Sequence, residues 1–262
     1  MTLIIGIRCT NGIVMAADGA ATLGSFGTPT AQQKTVKKLR ILQSKIIVGS
    51  SGHVGLGQRL EALIDDGYRE NKFGGRAEKA IGAMRELLWT VAGPEWDAAA
   101  STSRVVGQQV ASMSAIATLM VALPLNKRAE LVQFDQQCAP ELASDSLPFV
   151  ALGSGQMIAD PYLAFVRRVL WPATGCPTIQ DGIFTAVWTL VHAVETNTGG
   201  VAEPIQVATL EQPAKDWVAR ELTDDELQEH RSAVKDAERA VKEWRSTFTS
   251  KPATPPPPAP PA

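Results

Sequence analysis

The sequence predicts an α+β protein in which a pair of β-sheets is sandwiched between helical layers, with a helical extension at the C-terminus. Three observations predict it. The element order reads as strands, two helices, strands, two helices and a final strand. The N-terminal runs LIIGI and IVMAA are nearly continuous in apolar character rather than alternating, as expected of strands covered on both faces. A chain of 262 residues is long enough to bury such a core as one globular unit and short for two.

The elements follow in order. Asn11-Gly12 tolerates the positive φ of a type I′ turn, which predicts a hairpin between Thr2–Cys9 and Ile13–Asp18. The stretch SFGTPTAQQ reads as a loop from its Gly, Pro and polar content. VKKLRIL and KIIVGSS form the next strand pair, joined near Gln43-Ser44. Leu56, Leu60 and Leu63 mark a helix in residues 53–71, and Ile81, Met84 and Leu88 mark another in residues 75–93. The Ala- and Ser-rich stretch from Glu95 to Gln109 is ambiguous. SAIATLMVAL and AELVQF read as a hairpin around Pro124-Leu125-Asn126, and PFVALGSG as a short strand. PYLAFVRRVLW and TIQDGIFTAVWTLVHAVE are helical, and PIQVATLE is the last strand. Thr223 caps a charged helix with acids in its first turn, as the helix dipole favours. SKPATPPPPAPPA is a proline-rich run that neither packs nor pairs well, and is expected to be a disordered tail. The expected division is therefore a main domain over residues 1–221, a charged helix over 222–249 and a tail over 250–262.

Composition excludes several function classes. The net charge of −2, with acids and bases interspersed, offers no footprint for nucleic acid or for anionic lipid. The N-terminal apolar stretch is short, lacks a basic leader and breaks at Arg8 and Asn11, so neither signal peptide nor membrane span is expected. Cys9, Cys138 and Cys176 are far apart and odd in number, which fits a reducing, cytoplasmic setting better than a disulfide framework. His53, His192 and His230 are distant from one another and from the cysteines, so no metal site is expected. His53 reads as a helix cap and His192 as a packed residue. No phosphate-binding GxxxxGK[ST] loop or GxGxxG occurs, and no cofactor is expected.

The second residue is a threonine. Removal of Met1 would place a free α-amine beside a hydroxyl, so one residue would supply both nucleophile and base. An unperturbed α-amine titrates near pH 7.7–8.0, leaving a useful neutral fraction at neutral pH. Asp18, read across the hairpin, lies roughly opposite Ile5 and about 10 Å along the strand from Thr2, so a bridging cation is needed. VKKL offers Lys37 and Lys38, of which only one can point inward, because neighbours on a strand face opposite ways. A carboxylate would hold that lysine charged, and its field would lower the effective pKa of the hydroxyl. Taken singly, Thr2 is an ordinary second residue, Asp18 a turn acid and both lysines surface residues.

Taken together, MTLIIGIRCTNGIVMAADGAATLG, TVKKLRIL, KIIVGSSG and the later GSG at Gly153–Gly155 resemble the proteasome β-type peptidases, and ADGAATLG resembles the heat-shock-locus V branch. The resemblance implies the four-layer αββα sandwich of the N-terminal nucleophile hydrolases. It also implies a threonine-type endopeptidase that encloses its sites in a stacked double ring of six or seven subunits per ring and acts on peptides or unfolded protein. Carried over by position, Thr2 is the nucleophile, Asp18 and Lys38 are the charged pair, and the Gly49 amide, in the turn after the fourth strand, is the oxyanion donor. Ser154 is the partner of the terminal amine, while Glu195 and Thr198 match a family Asp and Ser less securely. Lys34 rivals Lys38: it keeps the family's ungapped separation from the threonine but loses the KKL match. Ala21, Ile47 and Ser51 are expected to line the substrate pocket. The elongated loop before VKKL and the C-terminal addition resemble the betaproteobacterial proteasome homologues. The proline-rich end departs from a tail that engages an ATPase ring, which leaves an unfoldase partner open. The alternatives are a non-catalytic ring subunit and an amidase for a small metabolite.

Overall fold

A computed structural model describes residues 2–25, 28–33, 35–106, 117–196 and 200–249. Met1, Lys34, Thr198 and the proline-rich tail lie outside the described residues. Strands β1 (Ile4–Cys9) and β2 (Gly12–Ala17) form the first hairpin, β3 (Ala21–Ser25) and β4 (Thr28–Gln33) the second, and β5 (Leu39–Leu42) and β6 (Ile46–Gly52) the third. Helices α1 (Val54–Arg69) and α2 (Ala77–Val106) follow, then β7 (Ala117–Leu125), β8 (Arg128–Phe134), β9 (Pro140–Leu142) and β10 (Phe149–Leu152). After β10 come α3 (Gln156–Leu170), α4 (Ile179–Thr196), β11 (Gln206–Glu211), β12 (Val218–Glu221) and α5 (Asp224–Thr249).

Two five-stranded antiparallel sheets result, in the orders β10-β1-β2-β11-β12 and β5-β6-β7-β8-β9. Alternation along β1 explains its unbroken apolar run. Leu3, Ile5 and Ile7 pack outward with Ile183, Val187 and Leu190 of α4 and Val234 of α5. Ile4 packs inward between the sheets with Met15, Leu39, Met120 and Leu131. On the other side Ile46 and Val48 of β6 meet Leu60 and Ile64 of α1 and Met84 and Leu88 of α2. Residues Ile4–Ile7 of β1 and Ile46–Gly49 of β6 are thereby buried on whichever face they point to, giving helix, sheet, sheet, helix.

Several expectations are corrected. Cys9 pairs with Gly12, so the first turn is Thr10-Asn11 rather than Asn11-Gly12. Thr10 is tied away by its amide to the Pro177 carbonyl (2.9 Å) and its hydroxyl to that of Cys176 (3.0 Å), and a Cβ on Gly12 would collide with the Leu210 carbonyl. This moves the register by two residues, which keeps every side chain on its expected face but brings Asp18 opposite Leu3 instead of Ile5. The loop expected at SFGTPTAQQ is largely a strand hairpin, β3–β4. Helix α2 runs on through Pro94 to Val106, into the ambiguous stretch, whose residues 107–109 lie outside the described residues; its second half is tied to α1 by Arg59 and Glu95 at 2.6 Å. The β7–β8 turn is Asn126-Lys127, with φ of 47° and 73°, and Pro124 and Leu125 belong to β7. His53 does cap α1, its Nδ1 accepting the Leu56 amide at 3.2 Å, and His192 stacks on Tyr162 at 4.2 Å. No helix among the described residues is long and apolar enough to cross a membrane.

Candidate active site

Thr2 sits just ahead of β1, where the turn between β10 and α3 wraps it. Its carbonyl accepts the Gly155 amide at 3.1 Å, and its nitrogen, a peptide N–H while Met1 is attached, donates to Ser154 Oγ at 3.2 Å. The turn reaches this close only because Gly153 adopts φ +90°, and a side chain there would collide with the Thr2 carbonyl and approach Ser51 Oγ. Ser51, half-buried at the end of β6, therefore flanks the same turn.

Asp18 follows β2 and is fully buried. Its Oδ1 accepts the Leu3 amide at 2.8 Å and Lys38 Nζ at 2.6 Å; its Oδ2 accepts the amides of Ala20 at 3.2 Å and Ala202 at 3.4 Å. One carboxylate oxygen thus joins the lysine ammonium to the peptide that follows Thr2. The intervening gap expected from the sequence is absent, because the register shift puts Asp18 beside Leu3. Lys38 is buried, with 6% of its side chain exposed, while Lys37 points away to Glu221 at 2.6 Å. Burial pushes the Lys38 ammonium below the ordinary lysine range, and the Asp18 carboxylate opposes that shift.

The main chain of Lys38 is held by a residue that the motifs do not single out. Gln206 Oε1 accepts the amides of Lys38 (3.0 Å) and Leu39 (3.2 Å), and its Nε2 donates to the Val36 carbonyl (2.7 Å). A signal for it exists in PIQVATLE. Ile205 and Val207 face the helices and Ala208 and Leu210 face the other sheet, so Gln206 is a polar residue on an inner face that alternation reserves for apolar ones. Ala202, which supplies an amide to Asp18 and a carbonyl to Gly19 (3.0 Å), acts through its backbone and leaves no side-chain signal.

The other expected residues divide. Gly49 is buried within β6, between Leu39 of β5 and Met120 of β7, and is not in a turn after it. Strand pairing continues to Gly52, which moves the turn three residues on. A Cβ there would come within 3.0–3.2 Å of Leu39 Cδ2, Ile4 Cδ1 and the Lys38 carbonyl, so Gly49 backs directly onto the lysine segment. Ile47 is fully buried between the sheets and cannot line a pocket open to substrate, because the alternation that aims Gly49 inward aims Ile47 inward too. Ala21 is half-buried at the start of β3. Glu195 is exposed in the last turn of α4, and among the described residues no hydrogen bond or ion pair links it to Thr2, Asp18, Lys38 or Ser154. Thr198 lies outside the described residues. A cavity of about 760 Å³, lined by Arg8, Thr10, Asn11, Lys127 and Trp217 among others, sits at the opposite end of the β1–β2 hairpin and includes none of the site residues. Among the described residues no group of three or more His, Cys, Asp or Glu is placed to hold a metal ion.

Comparison with known proteins bears on this arrangement. Residues 2–86 match the proteasome subunit family model. The proteasome subunit beta of Methanosarcina barkeri is 34% identical over 64 residues, which are 24% of this chain and 28% of that protein. The chain thus aligns with little more than a quarter of that relative. Among solved structures, Anbu (ancestral beta-subunit) from Yersinia bercovieri superposes with a TM-score of 0.65 at 15% identity, covering 96% of this chain and 99% of that one. Anbu from Hyphomicrobium sp. strain MC1 gives 0.64 at 15% identity, over 97% and 99%. At such identity the likeness is one of fold.

Proposed function

Because the chain belongs to the proteasome β-type family and takes the αββα fold of its relatives, we propose that it is a threonine peptidase whose nucleophile is the Thr2 hydroxyl, exposed by removal of Met1. The observation that carries the reading is the shared carboxylate oxygen: Asp18 Oδ1 receives both the buried Lys38 ammonium and the amide next to Thr2, at 2.6 and 2.8 Å. This ties a desolvated positive charge to the residue whose oxygen must become nucleophilic.

The chemistry then follows from groups on one chain. The Thr2 amine takes the hydroxyl proton as the oxygen bonds to the substrate carbonyl carbon, and the carbonyl π electrons move onto oxygen. A backbone amide aimed at the developing oxyanion contributes on the order of 3 kcal/mol; Gly49, buried and paired on both sides within β6, does not present one to substrate. Collapse of the adduct expels the leaving amine, which takes the proton from the Thr2 ammonium and leaves an ester on Thr2. Water, deprotonated by the same amine, hydrolyses the ester and restores the hydroxyl. Ser154 Oγ, already 3.2 Å from the Thr2 nitrogen, orients that amine. Family and fold support a homo-oligomeric ring, and sequestered peptides or unfolded protein are the substrates proposed for it.

The test is hydrolysis of a panel of fluorogenic peptides by the full chain and by Thr2→Ala. Activity in the wild type with no turnover in Thr2→Ala supports the reading. A correctly assembled wild type that retains Met1 and cleaves nothing identifies a non-catalytic subunit. Activity that survives Thr2→Ala removes Thr2 from the mechanism.

A further inference from the structure

The geometry points to Gln206 as the positioning residue for Lys38, an inference that rests on the threonine-peptidase reading of the site. Lys38 stands one residue ahead of β5, so its amide falls outside the β5–β6 ladder. A lysine ammonium rides on a flexible four-carbon stem, and its placement is only as firm as the backbone beneath it. Gln206 supplies that firmness. Its Oε1 takes the amides of Lys38 and Leu39 at 3.0 and 3.2 Å and its Nε2 binds the Val36 carbonyl at 2.7 Å, so one side chain grips three backbone groups around the lysine.

The chemistry of the three partners fixes which way the amide lies. Two N–H donors require the oxygen and one carbonyl requires the NH₂; the flipped amide would oppose donor to donor. It also explains why neither a carboxylate nor an apolar residue would serve. A glutamate would accept from both amides but, ionised, would have nothing to give the Val36 carbonyl. A leucine would leave all three groups without this partner. The grip extends to the acid of the pair. Gln206 pairs with Ala17, the residue before Asp18, and four residues upstream Ala202 binds Asp18 and Gly19. The segment 202–206 therefore touches both members of the ion pair, Lys38 through Gln206 and Asp18 through Ala202, the latter beside the Leu3 and Ala20 amides.

The experiment compares wild type, Gln206→Leu and Gln206→Glu as full chains, by two readouts. One is the rate of covalent modification by a peptide epoxyketone, followed by intact mass. The other is amide hydrogen exchange over residues 35–40. In Gln206→Leu, exchange in that segment is expected to rise at least 10-fold. The maximal modification rate is expected to fall about 10- to 100-fold, the scale of a displacement near 1 Å, with half-saturation unchanged. Gln206→Glu is expected to approach the wild-type rate measured at the same pH as pH falls from 8 to 5, because its protonated carboxyl regains a donor for Val36. A mere packing role predicts no such pH dependence. Unchanged exchange in Gln206→Leu overturns the grip. Raised exchange with a modification rate within twofold of wild type overturns its role in placing Lys38. If wild type itself is never modified, the peptidase reading fails instead, and exchange alone decides the grip.

Discussion

Replacing Asp18 with asparagine keeps the side chain's size and removes its charge, which isolates the electrostatic part of the site. Lys38, with 6% of its side chain exposed, would then hold an ammonium without the carboxylate 2.6 Å away. The asparagine NH₂ would also face donors, whichever way it lay, because amides approach both oxygens of Asp18. Breaking one side of a buried pair costs about 3–5 kcal/mol. An upper bound comes from letting Lys38 shed its proton: from the ordinary lysine value of 10.5 to pH 7 this is about 5 kcal/mol at 1.36 kcal/mol per pH unit. At about 2–4 °C per kcal/mol for a chain of this size, the melting temperature is expected to fall by roughly 6–20 °C. The assay is thermal unfolding by circular dichroism at fixed chain concentration, on Asp18→Asn, Lys38→Met and the double variant, at pH 7 and 9.5. In Asp18→Asn the unfolded chain holds the lysine proton up to 10.5 while the folded chain sheds it earlier, so stability rises with pH and the gap to wild type narrows by pH 9.5. The double variant, which strands no charge, is expected to recover most of the loss. A drop below 2 °C at pH 7, or a double variant no more stable than Asp18→Asn, would refute the reasoning.

Three further outcomes are expected. Activity against pH should be bell-shaped, with an acid limb from protonation of the Thr2 amine and an alkaline limb from Lys38 below the ordinary 10.5. Because the folded state loses that proton first, Lys38 adds stability across the same alkaline window; a rate profile with no alkaline limb below 10.5 would count against the lysine. Gly153→Ala, which forces a side chain onto φ +90° and into the Thr2 carbonyl, should cost about 1–3 kcal/mol in denaturant unfolding and abolish turnover; a fully active variant would show the turn to be unimportant. Ile47→Ala should cost about 2–5 kcal/mol as a core truncation and leave peptide preference unchanged; altered preference with wild-type stability would return Ile47 to the pocket.

The sandwich was legible because burial on both faces leaves unbroken apolar runs, and because helices between strand pairs fix the layers. Residue type and parity also carried much of the site. Strand alternation across VKKLRIL predicts that only one of Lys37 and Lys38 points inward; β5 starts only at Leu39, yet the structure still places Lys38 on Asp18 and Lys37 on Glu221. What failed to show was register and backbone. Asn11-Gly12 suits a type I′ turn, yet contacts of Thr10 with a distant loop moved the turn by one residue and brought Asp18 to Leu3. The β3–β4 hairpin was hidden by a Gly- and Pro-containing stretch whose composition is that of a loop. Ile47 was misassigned because motif spacing locates a residue along a strand but does not decide how deep the neighbouring sheet buries it. Ala202 acts through its amide and carbonyl, for which any residue but proline would serve, so no residue type could announce it.

The most direct test is intact-mass analysis of the chain before and after treatment with a peptide epoxyketone, a reagent that closes on a hydroxyl and a free amine of the same residue. The account predicts a chain lacking Met1 that gains one adduct, with no adduct on Thr2→Ala. A chain lacking Met1 that stays unmodified under conditions that fully label a known threonine peptidase would contradict it.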